Sequence, residues 1–149
     1  MTVLDQLRAG VVTASAAETR RLAAELAAAL PADATVALHG DLGTGKTTFV
    51  QGLAGGFGLD GPVTSPTFNI LHIYRAARGV SGRWTLLHLD AYRLENDHDV
   101  AELMLEDFLV SPYCLAVEWP DRIAAWLPAD SIHLSLAIVA PGRHRLALA

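Results

Sequence analysis

Lysine is almost missing from this chain. Of 11 basic residues among 149, only Lys46 is a lysine, and every other one is an arginine. A guanine-reading N-K-x-D segment needs a lysine of its own, so a GTPase of that type is excluded. Cysteine is nearly as scarce. Cys114 is the only one, which rules out an intrachain disulfide. Set in the apolar run "YCLAVEW", it reads as a small buried hydrophobe in a reducing compartment. No apolar run is long enough to span a bilayer. The N-terminus carries Asp5 and Arg8 where a signal peptide would need an apolar stretch. The expectation is a cytoplasmic protein with no membrane contact. Positive charge is in deficit too, at 11 basic against 16 acidic residues and a net −5, which disfavours unaided binding to a polyanion. No repeat, linker or low-complexity tract divides the chain. With 52% apolar residues it reads as one folded domain over residues 1–149 rather than a disordered chain.

The place where the lone lysine survives is informative. "HGDLGTGKTTFV" (39–50) fits the phosphate-cradling pattern G-x-x-x-x-G-K-[ST] at Gly40, Gly45, Lys46 and Thr47. That position takes a compact ammonium on a flexible stem, and a planar guanidinium is a poor substitute there. Gly43 and Gly45 let backbone N–H groups approach phosphates, with Asp41, Leu42, Thr44 and Thr48 completing the loop. The Thr47 hydroxyl suits Mg²⁺. The flanks agree with the motif. "ATVALH" (34–39) reads as a short buried strand, and "KTTFVQGLAGGF" (46–57) opens a helix whose N-terminus favours anions.

Elsewhere, Ser15 followed by Glu18 marks a capping-box start for the helix "AAETRRLAAELAAAL", which Pro31 closes. Beyond the loop helix, "FNILHIYR" and "RWTLLHLD" on either side of "RGVSG" read as an antiparallel hairpin. The acidic segment 95–107 reads as a helix packed by Val100, Leu103, Leu105 and Phe108. "YCLAVEW" is a further strand, followed by a short helix near "DRIAAWL". "IHLSLAIV", the turn "PGR" and "HRLALA" form a closing hairpin. These elements predict an α/β fold: a three-layer P-loop NTPase-like domain whose mixed sheet has parallel central strands and antiparallel additions.

Two of these strands end in acids, Asp90 after "LLHL" and Glu118 after "CLAV". Carboxylates at the C-terminal ends of central strands face the crevice where open α/β sheets bind ligands. One suits Mg²⁺ and the other an attacking water. "TSPTF" (64–68) offers the hydroxyls of Thr64, Ser65 and Thr67 around Pro66. It reads either as a γ-phosphate-sensing switch or as an ordinary Ser/Pro turn. His88 shares a strand face with Asp90, but partners for a zinc site are lacking, so it reads as a packed or hydrogen-bonding histidine. Trp119 suits the rim of the site or the core, and Trp126 the core. Arg75, Arg78, Arg83 and Arg93 form a basic cluster, either a solvated hairpin tip or a nucleic-acid patch.

Taken together, "GDLGTGKTTF", "SPTF", "HLDAYRL" and "VEWP" closely resemble the TsaE (YjeE) family, and the resemblance runs from "ETRRLA" to "PGRHR". These are small bacterial P-loop ATPases of tRNA threonylcarbamoyladenosine (t6A) synthesis. The resemblance implies ATP and ADP as ligands, Mg²⁺, and slow, partner-modulated hydrolysis. It implies work beside TsaD and TsaB, with tRNA reached only through that complex, the transfer itself staying with TsaD, and TsaC supplying the activated group. It assigns Thr47 and Glu118 to Mg²⁺, Asp90 as an essential acid, Lys46 to the phosphates and Ser65–Pro66–Thr67 to the switch. Thr19 and Gly142 or Arg143 fall where contacts to the nucleotide outside the loop are expected. Met104 stands where the family usually has glycine, and little tail follows "LALA". A P-loop small-molecule kinase is the alternative, although no lid insertion is evident. A binding module without turnover has no need of two acids.

Overall fold

The computed structural model describes residues 1–59, 63–64, 70–75 and 84–149, with backbone alone at 63, 64 and 97. The sequence-predicted positions Ser65, Pro66, Thr67, Arg78 and Arg83 lie outside these residues. Four strands run parallel at the centre: β2 (Ala34–His39), β5 (Thr85–Asp90), β6 (Tyr113–Glu118) and β7 (Ile132–Ala140). Antiparallel strands extend the sheet, namely β1 (Val11–Thr13), β3 (Val63–Thr64), β4 (Leu71–Arg75) and β8 (Arg143–Leu148). Among the described residues the order is β1-β8-β7-β2-β6-β5-β4-β3. The P-loop strand β2 therefore sits between β7 and β6, and β6 brings β5 next to it. The expected mixed sheet is what forms.

Both faces of this sheet are covered, which is why its central strands are continuous apolar runs rather than alternating ones. On one face lie α1 (Val3–Ala9), α2 (Ala16–Ala29) and α3 (Lys46–Gly56). Leu22 and Leu26 of α2 and Phe49 and Leu53 of α3 pack there against Val36, Leu38, Leu86 and Cys114. On the other face Val100, Leu103 and Leu105 cover Leu87, Leu89, Leu115 and Val117. Cys114 is fully buried, and burial pushes its thiol up to about 12. No described helix is long and apolar enough to cross a membrane.

Local chemistry explains the element ends. Ser15 Oγ accepts from the Glu18 amide at 3.1 Å, while Glu18 accepts from the Ala14 amide at 2.6 Å, so the reciprocal bond closes one residue earlier than the simple capping box. The acidic segment departs from expectation. Its helix, α4, spans only Asp97–Glu102, and a 3-10 turn follows at Leu105–Asp107. Met104 between them has φ of +52°, a left-handed conformation that ends an α-helix. Three elements are not expected from the sequence, α1, β1 and β3. Thr2 and Asp5 form a full capping box on α1, and that pair was the signal for it.

α2 and α3 touch through backbone. A Cβ on Gly52 would lie 2.5 Å from the Arg20 carbonyl oxygen and 2.7 Å from Ala23 Cβ. Alanine normally stabilises a helix interior over glycine by about 1 kcal/mol. Here Gly52→Ala has to push the helices apart and should instead destabilise by about 1–3 kcal/mol. Urea denaturation of the two proteins decides the sign, and a more stable variant would contradict this helix contact.

Candidate functional site

After His39 the chain leaves β2, turns through the loop and enters α3 at Lys46. Gly40 is required by close approach: a Cβ there would sit 2.5 Å from the Leu136 carbonyl oxygen of β7. Thr44 is buried and folds the loop on itself, its hydroxyl donating to the Asp41 carbonyl at 2.8 Å. Gly45 caps α3 with no side-chain hydrogen bond, so the first-turn amides keep their anion-binding capacity.

Lys46 is only 5% exposed. Its Nζ donates to the Gly40 carbonyl at 2.6 Å and stands 3.9 Å from the centroid of the Trp119 ring. Both partners are neutral, and among the described residues no acid forms an ion pair with Lys46. A desolvated ammonium held by a carbonyl and a π face is suited to take an anion. Trp119 itself has φ of +55° and packs on Tyr92 at 5.2 Å between centroids. Of the two roles open to it, it has both: it lines the site and packs against the core cluster on the α4 side of the sheet. Trp126 packs in the core on the α4 side of the sheet.

The two acids meet because β5 and β6 are parallel neighbours in which Asp90 is the register partner of Glu118. Alternation puts His88, Asp90 and Glu118 on the face shared with α3, opposite Leu87, Leu89 and Val117. Glu118 is 8% exposed, and its Oε2 lies 2.5 Å from His88 Nε2. Asp90 is more open, with Oδ1 accepting from the Tyr92 amide at 3.0 Å. His88 is thus a hydrogen-bonding histidine that orients a buried carboxylate.

These groups line one cavity of about 330 Å³, formed by Leu42, Gly43, Gly45, Lys46, Thr47, Thr48, Asp90, Glu118 and Trp119. A second cavity of about 340 Å³ adjoins it across Gly43, Gly45 and Thr48. Its walls are Ala14, Ser15, Ala16, Thr19, Gly142 and His144. Thr19 and Gly142 therefore share a cavity, whereas exposed Arg143 and Asp41 line neither. Thr44 shapes the loop from within. His144 was not singled out in the sequence. Its side chain crosses to the loop, where Nδ1 lies 2.8 Å from the Thr44 carbonyl oxygen.

No cluster of three or more His, Cys, Asp or Glu suited to a metal occurs among the described residues. A mixed sheet with parallel central strands, a glycine-rich loop opening a helix and an acid-lined mouth define an α/β P-loop domain.

Comparison with known proteins narrows the class. Residues 13–145 match the family described as threonylcarbamoyl adenosine biosynthesis protein TsaE. The chain belongs to the TsaE family. A Treponema pallidum protein named tRNA threonylcarbamoyladenosine biosynthesis protein TsaE is 35% identical over 93% of this chain and 98% of its own. The Bacillus subtilis protein of the same name is 37% identical over 82% of this chain and 73% of its own. Among solved structures, Bacillus subtilis YdiB superposes with a TM-score of 0.69 at 28% identity, covering 93% of this chain and 82% of that one.

Removing the histidine beside Glu118 should expose the cost of burying that carboxylate. His88→Ala is expected to lower the unfolding free energy by about 1–3 kcal/mol, because an unpaired buried acceptor loses its compensation. Chemical denaturation at neutral pH tests this, and unchanged stability would mean that solvent already serves Glu118.

Proposed function

We propose that this chain is the ATP-binding and ATP-hydrolysing component of the t6A modification system, acting on Mg²⁺–ATP and working with TsaD and TsaB. Family membership and the names of the relatives support the place in t6A biosynthesis. The observation that carries the nucleotide reading is the Lys46 ammonium, buried against neutral partners and opening on a cavity that also holds Asp90 and Glu118.

Each residue then has a chemical task. Lys46 exchanges its neutral partners for phosphate oxygens, and the α3 amides add donors along the same phosphates. The Thr47 hydroxyl and the Glu118 carboxylate would hold Mg²⁺, with His88 keeping Glu118 turned toward the site. When bound, the ion neutralises charge on the β- and γ-phosphate oxygens. Asp90, with Oδ1 taken by the Tyr92 amide, keeps Oδ2 to accept a proton from the water that attacks the γ-phosphate. The transfer onto tRNA stays with TsaD, and tRNA meets this chain only through the complex. ATP and ADP influence that complex through the contacts that differ between the two states.

Binding and turnover separate these roles. Lys46→Ala should weaken Mg²⁺–ATP binding at least about tenfold, the loss of one charge-assisted contact. Glu118→Gln should blunt the Mg²⁺ dependence of binding. Asp90→Asn should bind ATP nearly as wild type while hydrolysing it more slowly. Calorimetry and phosphate release on the three variants test the assignment, and the reverse pattern for the two acids would exchange their roles.

Coupling to partners is a separate expectation. Hydrolysis should be slow in isolation and change when TsaD–TsaB is added, with affinity for that pair differing between a non-hydrolysable ATP analogue and ADP. Equal affinity with both nucleotides, and a rate indifferent to the pair, would leave this chain outside the complex's cycle.

A further inference from the structure

We propose that His144 reads the nucleobase, its Nε2 accepting from the exocyclic amine of adenine and thereby selecting ATP over purines that carry a carbonyl at the same position. The inference rests on the nucleotide reading above and adds to it the group that sets base preference.

Strand pairing places the residue. His144 lies near the start of β8, opposite Ile138 of β7 and Thr13 of β1. From there its ring spans to the P-loop, where Nδ1 is 2.8 Å from the Thr44 carbonyl oxygen. A carbonyl has no proton to give, so Nδ1 carries the hydrogen and donates it. In the neutral ring the lone pair then belongs to Nε2. Among the described residues none bonds that nitrogen, and His144 lines the second cavity, which shares Gly43, Gly45 and Thr48 with the first but not Lys46. The phosphate groups belong with Lys46, so the nucleoside end belongs in this second cavity.

The remaining walls offer little to read a base. Ala14, Ala16 and Gly142 have no polar side-chain atom. Ser15 Oγ is engaged by the Glu18 amide, and Thr19 Oγ1 is buried 2.7 Å from Thr13 Oγ1. Among the described residues, two polar side-chain atoms of this cavity have no bond, His144 Nε2 and Thr48 Oγ1. Thr48 also lines the cavity that holds Lys46, which leaves His144 Nε2 as the acceptor of the second cavity alone. As an acceptor it attracts an N6 amine and repels an O6 carbonyl. A site that lacks the matching group on its ligand leaves its own group unpaired, which is where discrimination comes from.

The experiment varies one atom of the ligand. The full chain is titrated calorimetrically with the Mg²⁺ complexes of ATP, purine riboside triphosphate (hydrogen in place of the amine) and inosine triphosphate (carbonyl in its place). Wild type should bind purine riboside triphosphate about threefold to tenfold more weakly than ATP, the effect of one neutral hydrogen bond, and inosine triphosphate more weakly still. His144→Asn retains an N–H donor for Thr44 but has nothing at the Nε2 position. It should bind ATP and purine riboside triphosphate alike, and Mg²⁺–pyrophosphate as wild type does. His144→Ala should weaken pyrophosphate as well, through the lost hold on the loop. Thermal melts establish that both variants fold, and the analogue series on wild type needs no variant. Equal wild-type affinity for ATP and purine riboside triphosphate would overturn the inference, as would an Asn variant that still discriminates. If ATP and pyrophosphate both fail to bind wild type, the nucleotide reading falls, and this inference with it. If ATP binds and Lys46→Ala abolishes it, that reading stands and the analogue series alone decides His144.

Discussion

An ammonium taken out of water has to be compensated, and here the compensation is minimal. Lys46 is buried, yet it has one backbone carbonyl and one indole face in place of a carboxylate. Neutral partners recover only part of what water supplied. An aspartate in that position would satisfy the charge and block the site. The surrounding structure keeps the partners weak. Gly40 lets its own carbonyl stand close to Lys46 because its missing Cβ clears Leu136. Trp119, in a left-handed conformation that few large residues adopt, brings its ring beneath the ammonium.

The acids are kept near this charge without neutralising it, and sheet geometry is what holds them there. Asp90 and Glu118 end adjacent parallel strands in register, so both reach the mouth of the crevice on the face of α3. His88 ties Glu118 down from the same strand that carries Asp90, two residues before it. Three functional groups are thereby positioned by one ladder. A one-residue slip of β5 would send His88 and Asp90 into the opposite apolar layer and part both from Glu118. On the other side of β2, the β7–β8 hairpin performs the matching task for His144, whose bond to Thr44 links a remote strand to the loop.

Much of this was legible in the linear chain because the signals are local. The buried run 34–39, the glycines of the loop and the lysine that closes it all lie within a dozen residues. The Ser15 cap, the apolar strands and the acids at their ends are likewise short-range patterns. Where the reading failed, the cause was a local feature outweighed or overlooked. The segment 95–107 has helical spacing, but the backbone reverses at Met104 and divides it. α1 rests on the Thr2–Asp5 box and, at seven residues, is too short to display a helical period of its own.

The sequence by itself determined the α/β class, the P-loop and the strand ends on which the acids sit, because backbone propensity, burial pattern and capping act between near neighbours. Only the tertiary structure decided which groups meet. His88 reaches Glu118 across 30 residues, and His144 reaches Thr44 across 100. Trp119, packed on the edge of the core, also becomes a platform for Lys46. Such pairings depend on strand order and register, which arise when apolar faces from distant segments are buried together. No short stretch of sequence encodes that choice.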